Sequence, residues 1–397
     1  MNIGILKEEK KPADKRVPFT PNQCLEIVKR FPNIKIFVQS SNIRCFADSE
    51  YLNKGIEVVK DISFCDILMG IKEVPVERLI AKKTYMFFSH TIKKQEYNKD
   101  LLVKMIDLHI RMIDYEALRG LDNKRLLGFG RYAGIVGAYN TLLAYGIKSK
   151  KYSIKPAYLC QNRLEMEKYL EEVNLGNEKI LVTGSGRVGG GVIELLNKAG
   201  INKITKDEFV NKSFSGPVFV QLDTMDYNVR KDNSISKKSD FYSNPDLYES
   251  SFLKYAKHAD IYIAGHYHSQ KSPKIFTAQN ARECKIKVIG DISCDIKGPI
   301  ASTIRSSTIK NPIYGYNPIT SEEDDYQKDE VIAVMAVDNL PCELPIDASY
   351  DFGKALIDKV LPILTDNKNQ IIKRSTICEK GRLTPYFDYL KDYVGNI

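Results

Sequence analysis

A glycine-rich turn near the middle of the chain constrains its fold most: Ile180-Leu-Val-Thr-Gly184-Ser-Gly186-Arg187-Val-Gly189-Gly-Gly191. A short apolar run precedes it, and Val192-Ile-Glu-Leu-Leu196, of helical character, follows. In that strand–turn–helix context, G-x-G-x-x-G points to a dinucleotide. Gly184, Gly186 and Gly189 permit a tight turn and close approach of backbone N–H groups to a pyrophosphate, whose charge is favoured at a helix N-terminus. Roughly 180 residues precede the turn, room enough for a separate domain. Asp207 lies 18 residues after Gly189, just past the next apolar run. An acidic side chain there accepts hydrogen bonds from the adenosine ribose and favours NAD over NADP, with the adjacent Lys206 softening the discrimination.

At 397 residues, with 43% hydrophobic and 27% charged side chains, the chain has the balance of a soluble globular protein. A core of that size normally splits into two domains. No apolar stretch reaches the ~18–20 residues of a membrane span, and the opening MNIGILKEEKK lacks a signal-peptide pattern. No membrane partner is therefore expected, and a cytoplasmic location is. Eight cysteines are scattered without CxxC pairs, which suggests neither a zinc site nor a disulfide framework. His266-Tyr-His268 alternates but brings no third ligand nearby, so no metal is expected. The net charge of +9 raises nucleic acid as a partner. The lysines are dispersed, however, and Lys148-Ser-Lys-Lys151 and Lys237-Lys238 have the character of solvated loops, so none is expected. A basic cleft for an anionic small molecule fits the same charge.

Short apolar runs alternate with helical segments throughout, the α/β pattern. Strands are expected at Ile3–Ile5, Ile34–Val38, Asp66–Ile71, Tyr85–Phe88 and Arg111–Ile113. Thr20-Pro21-Asn22-Gln23 supplies an N-cap, a first-turn proline and a capping-box glutamine for a helix through about Arg30. Tyr132–Tyr145, apolar with small residues, suggests a buried helix passing between domains. A second strand series follows at Ile180–Thr183, Ile201–Thr205, Val218–Leu222, Ile261–Ala264 and Lys287–Ile289. Val331–Val337 predicts a further strand and Asp347–Leu364 a helix. This tail has no partner of its own length and most simply returns to complete the first domain. The expected architecture is α/β, two Rossmann-like domains with parallel sheets separated by an active-site cleft. Residues 1–130 and 318–397 would form the substrate domain, and 131–317 the NAD-binding domain.

Lys72 ends one apolar run and His90 another. Neighbouring parallel strands would bring both to one sheet edge, facing the crevice where α/β ligands bind. A lysine disfavoured in its charged form acts as a base, and histidine titrates near neutrality. A surface lysine and a structural histidine are the plainer readings, and spacing alone leaves them open.

The opening Gly4-Ile-Leu-Lys7-Glu8…Asp14-Lys-Arg16-Val-Pro-Phe-Thr20-Pro21 resembles that of the alanine dehydrogenase/transhydrogenase-like superfamily, which includes the lysine-forming saccharopine dehydrogenases. The resemblance is closer to that branch and to lysine–ketoglutarate reductase domains. It rests on Gly70-Ile-Lys72-Glu73, Phe87-Phe-Ser-His90-Thr-Ile-Lys-Lys-Gln95, Gly128-Phe129-Gly-Arg-Tyr-Ala-Gly134 and Asn244-Pro-Asp-Leu-Tyr248. Further blocks are Ile263-Ala-Gly-His-Tyr267, Asp291-Ile-Ser-Cys-Asp295 and Val337-Asp338-Asn339-Leu340-Pro341, all in family order. By position, the resemblance implies that Lys72 and His90 form the acid–base pair. It implies that Arg16 and Gln95 contact substrate, with Lys124, Phe129 and the Ser293–Asp295 turn completing the pocket. Gly186, Arg187, Asp207, Arg125, Tyr267, Ile292 and Val337, Asp338, Asn339 and Leu340 would face NAD. Fungal relatives usually carry arginine where this chain has Lys124, and histidine where it has Asn339.

The implied chemistry is NAD-dependent oxidation of saccharopine to an imine, followed by hydration and collapse to lysine and 2-oxoglutarate, and the reverse. Alanine dehydrogenase, or another amino-acid or imine dehydrogenase of the superfamily, is the alternative enzyme. A non-catalytic nucleotide sensor is a third reading, disfavoured by the presence of both Lys72 and His90. The superfamily includes monomers and hexamers, so a homo-oligomer is compatible with the resemblance.

Overall fold

Runs of consecutive buried apolar residues, separated by amphipathic helices, build two mainly parallel sheets. The computed structural model describes residues 1–364, 366 and 368–395. The chain divides into a first unit, Met1–Phe129 with Pro345–Ile397, and a second unit, Gly130–Leu344.

The first unit contains β1 (Asn2–Ile5), β2 (Lys35–Gln39), β3 (Glu57–Val59), β4 (Ile67–Met69), β5 (Thr84–Phe87) and β6 (Arg111–Asp114). They lie in the order β3-β2-β1-β4-β5-β6, all parallel. A hairpin of Thr376–Glu379 and Arg382–Leu383, which the sequence pattern does not announce, adds antiparallel to β6. The order reverses between β1 and β4, so ligand-binding residues belong at the C-terminal ends of those strands. Helix α1 (Pro21–Arg30) starts where expected. Gln23 N–H donates to Thr20 Oγ1 at 3.3 Å, and Thr20 N–H donates to Gln23 Oε1 at 3.0 Å. The returning helix, Pro345–Lys359, packs on this region: Gln23 Nε2 donates to Tyr350 O at 2.8 Å and Val17 N–H to Ser349 Oγ at 2.9 Å.

The second unit contains α3 (Gly130–Ser149), preceded in the chain by α2 (Lys99–Asp107) of the first unit. There follow β7 (Lys179–Thr183), α4 (Arg187–Lys198), β8 (Asn202–Lys203), α5 (Lys206–Asn211), β9 (Val218–Leu222), β10 (Ile261–Ala264), β11 (Val288–Asp291), β12 (Ile313–Tyr316), β13 (Glu323–Asp324) and β14 (Ile332–Met335). The sheet order is β13-β12-β14-β11-β10-β7-β9-β8, with only β12 and β13 running against their neighbours.

The expected boundary at 317/318 is therefore corrected. Residues 318–344 stay in the second unit, because β14 is buried at every position and pairs parallel with β11, Ile289 opposite Val334. The chain crosses back at Leu344–Pro345. No helix of the described residues is long and apolar enough to cross a membrane.

The buried helix expected at 132–145 is α3, and its close partner is α4 of the same unit. A Cβ on Gly134 would lie 2.0 Å from Val188 O, and one on Gly191 would lie 2.1 Å from Arg131 O. The two backbones thus meet where only glycine fits. Gly134→Ala should force the helices apart and cost about 3 kcal/mol of the second unit's stability, the upper end of what overpacking costs. A denaturant midpoint equal to that of the wild type would show that the contact gives way freely.

Candidate active site

At the C-terminal edge of the first sheet, the loops after β1, β4 and β5 gather titratable groups. Lys72 follows β4 and His90 follows β5, neighbouring parallel strands, so the expected juxtaposition at one sheet edge is present. His90 Nδ1 lies 2.6 Å from Glu73 Oε1, and Lys10 Nζ donates to Glu73 Oε2 at 2.6 Å. His90 has left-handed backbone, φ +53°, a conformation that concentrates at functional sites. Glu8 lies past β1, where its two carboxyl oxygens accept from Ile71 N–H at 2.6 Å and Lys72 N–H at 3.0 Å. Arg16 is buried; its Nε and Nη2 donate to the two oxygens of Asp14 at 3.0 and 2.5 Å, and its guanidinium lies 4.1 Å over the Phe129 ring.

Burial and proximity set the charges. Burial, then the Arg16 and Lys10 cations, pull the Lys72 amine below the ordinary lysine value against Asp14 and Glu73. Burial acts to raise Asp14, yet Arg16 holds it down at about 2. Burial likewise opposes ionisation of Glu73, but His90 and Lys10 bring it to about 2. Glu8 goes the other way: burial and the Asp14 charge push it up to about 8, beyond what the two backbone N–H groups offset. The edge thus holds a neutral acid, two paired carboxylates and a lysine displaced toward its neutral form.

Other first-unit candidates are spread around this group. Gln95 Oε1 accepts from Tyr97 Oη at 2.6 Å. Lys124 is 84% exposed and pairs with Asp122 at 3.2 Å. Arg125, carried over as a cofactor residue, lies in the first unit with Glu116 Oε1 at 2.8 Å.

In the second unit the glycine turn joins β7 to α4, at the point where the sheet order reverses between β7 and β10. Gly184 has φ +104°, and a Cβ there would lie 2.3 Å from Gly265 O; one on Gly189 would lie 2.1 Å from Gly184 O. Gly186 and Gly190 instead face open space. Arg187 begins α4. This is a backbone cradle that fits the pyrophosphate of a dinucleotide. His266 Nδ1 lies 2.8 Å from Thr183 Oγ1, and burial, with His268, pushes its imidazole down to about 3. Tyr267 is 83% exposed. Ile292 packs on Gly137 and donates its N–H to Ala264 O at 3.1 Å. Val337 and Leu340 are buried, Asp338 is exposed, and Asn339 turns the chain with φ +63°. Ser293 caps Asp291 through Oγ at 2.7 Å and Asp295 is exposed beyond it, so these two substrate candidates belong to the second unit.

Asp207 stands apart from the turn. The strand expected over 201–205 ends at Lys203, and Thr205 with Glu208 forms a capping box that makes Asp207 a first-turn helix residue. Its Oδ1 accepts from Asn211 Nδ2 at 2.8 Å, and a carboxylate there is explained by the helix dipole. The acidic residue beside the turn is Asp223, which accepts from Ser185 Oγ at 2.6 Å. Sequence reasoning passes over Glu8, Glu73 and Asp223. The signal they share is an acidic residue within a few positions of the end of an apolar run.

Glu8 has a measurable consequence. Between pH 4.5 and 8 its carboxyl is protonated in the folded chain and ionised in the unfolded one, so stability falls as pH rises through that window. Below it both states hold the proton, and above it neither does. From the displacement of the group, its share at pH 7 is on the order of 3 kcal/mol. Glu8→Gln should flatten the slope of unfolding free energy against pH by that share in urea titrations between pH 5 and 7; an unchanged slope would place the proton elsewhere.

The chain is similar to known proteins in both sequence and fold. Residues 4–136 match the alanine dehydrogenase/PNT N-terminal domain. The chain is 27% identical, over 98% of its length, to the mitochondrial alpha-aminoadipic semialdehyde synthase of Mus musculus, and spans 47% of that protein. It therefore covers about half the length of this relative. It is 26% identical to the saccharopine dehydrogenase (NAD(+), L-lysine-forming) of Yarrowia lipolytica, over 90% of this chain and 91% of that one. Among solved structures, an L-alanine dehydrogenase superposes with a TM-score of 0.65 at 14% identity, covering 99% of both chains, and shares the fold. The chain is thus similar to the alanine dehydrogenase/PNT N-terminal domain over residues 4–136 and to saccharopine dehydrogenases over nine-tenths of its length.

Proposed function

We propose that the chain is an NAD-dependent saccharopine dehydrogenase, interconverting saccharopine with lysine and 2-oxoglutarate. The observation that carries the reading is the edge of the first sheet, where Lys72, the Glu73–His90 pair and the buried Arg16 share one group. Bound NAD⁺ supplies the hydride acceptor. Lys72, shifted toward its neutral amine, takes the proton of the substrate's secondary amine as the adjacent C–H bond surrenders its hydride, leaving a C=N bond. His90, oriented through Nδ1 by Glu73, removes a proton from the water that adds to the imine carbon. Lys72 returns its proton to the nitrogen as water adds; His90 then protonates that nitrogen again as the C–N bond breaks, and Lys72 takes the hydroxyl proton, giving lysine and the keto group of 2-oxoglutarate.

Arg16 contributes a fixed positive charge for a substrate carboxylate, held rigid by Asp14 and Phe129. Gln95, Lys124 and Phe129 are the further substrate contacts in this reading. Gly184, Gly186, Arg187 and Gly189 hold the pyrophosphate, with Tyr267, Ile292 and Val337–Leu340 as further cofactor contacts.

NADH oxidation should proceed with lysine plus 2-oxoglutarate and not with pyruvate plus ammonia. Lys72→Met and His90→Gln should each lower kcat by about 10²–10⁴-fold, the range of a positioned acid or base. Turnover of pyruvate plus ammonia alone would assign the chain to alanine dehydrogenation, and wild-type rates in either variant would remove these residues from the chemistry.

A further inference from the structure

Resting on the dinucleotide reading of the glycine turn, we propose that Asp223 recognises the adenosine ribose and excludes a 2′-phosphate, with Lys238 as the cation that would accept that phosphate in its absence. Strand order carries the argument. β9 lies directly beside β7, with Thr183 opposite Leu222, so Asp223 is one step past the strand at the level of Gly184. Three bonds tie this end of β9 to the turn. Gly184 N–H donates to Leu222 O at 3.0 Å, Gln221 Nε2 to Gly184 O at 3.0 Å, and Ser185 Oγ to Asp223 Oδ1 at 2.6 Å. β8, which leads to Asp207, is one strand farther out. At the ~4.8 Å spacing of strands, that puts its end about 10 Å from β7 within the sheet.

Asp223 is also held in direction. Its N–H donates to Asp226 Oδ2 at 2.8 Å, and Lys238 Nζ lies 2.9 Å from both of its carboxylate oxygens. A carboxylate offers about four lone-pair sites, so Ser185 and Lys238 leave room for ribose hydroxyls. A 2′-phosphate would meet that carboxylate as a like charge. The Lys238–Asp223 pair is 44% and 42% exposed, a geometry of small net stability that exchanges readily for a phosphate once the carboxylate is gone. Lys206, the neighbour of Asp207 in sequence, reaches into the same turn and pairs with Asp226 at 2.5 Å. Both of these lysines are thus engaged by the acidic turn that begins at Asp223.

The test is direct binding of NADH and NADPH, by titration calorimetry, to the wild-type chain and to Asp223→Ser, Asp223→Asn and Asp207→Ser. Serine keeps an N-cap for the 224–226 turn, and asparagine keeps the shape while removing the charge. Loss of charged hydrogen bonds to the ribose should weaken NADH binding to Asp223→Ser by about tenfold or more. NADPH binding should tighten by a similar factor, and Asp223→Asn should shift the ratio the same way by less. Adding Lys238→Met to Asp223→Ser should abolish the NADPH gain. An unchanged NADH/NADPH ratio in both Asp223 variants, or a shifted ratio in Asp207→Ser, overturns the proposal. A wild-type chain that binds neither coenzyme overturns the dinucleotide reading itself, an outcome distinct from failure of the Asp223 assignment.

Discussion

The Asp14–Arg16 ion pair is the interaction on which the charged edge of the first unit's sheet is built. Both side chains are 2% exposed. Withdrawing two such charges from water costs several kcal/mol per ion, recovered only when geometry and hydrogen bonding are good. Here Asp14 accepts from Arg16 Nε, Nη2 and backbone N–H, and Phe129 lies under the guanidinium. Phe129 in turn stacks on Phe352 of the returning helix, centroids 4.7 Å apart and planes 12° from parallel. Ser349 on the same helix accepts the N–H of Val17, the residue after Arg16. A segment more than three hundred positions away in sequence thus fixes the cation. That dependence explains why the first unit must be completed by a returning stretch of chain.

The pair also adds to the effect of burial on the protonation of its neighbours. The Arg16 charge helps lower Lys72, and the Asp14 charge helps raise Glu8. Burial is the larger cause at both groups; beyond it, Arg16 outweighs Asp14 at Lys72 and Asp14 outweighs Arg16 at Glu8. Glu73, held ionised by His90 and Lys10, supplies the complementary negative charge. In the proposed reaction, proton acceptance at Lys72 and orientation of His90 would draw on these charges, gathered at one sheet edge.

How far the sequence was legible depended on whether the governing interaction was local. The Thr20/Gln23 capping box, the fully apolar strand runs and the glycine turn are written in adjacent residues, and they lie where the sequence pattern puts them. The lysine–histidine juxtaposition needed only that β4 and β5 be neighbours. The boundary at 317/318 failed because the pairing of β14 with β11 joins residues some forty-five positions apart, and no local pattern marks which sheet an apolar strand enters. Glu8, Glu73 and Asp14 were passed over because an isolated carboxylate near a strand end is ordinarily solvated, and only burial makes it consequential.

Asp207 and Asp223 show the same limit at the cofactor side, and the physics of burial decides between them. The position next to β7 lies inside the sheet, covered on both faces, which a strand can occupy only if nearly all its residues are apolar. Val218-Phe-Val-Gln-Leu222 meets that condition, with Gln221 as the single half-buried residue. Asn202-Lys203 does not: both residues are exposed, so the strand is short and is left at the edge. The chain consequently runs from β7 outward to β8 and back to β9, and the acidic residue that arrives beside the turn is the later one. Counting residues from the glycines measures distance along the chain; the strand that can be buried determines which carboxylate the turn meets.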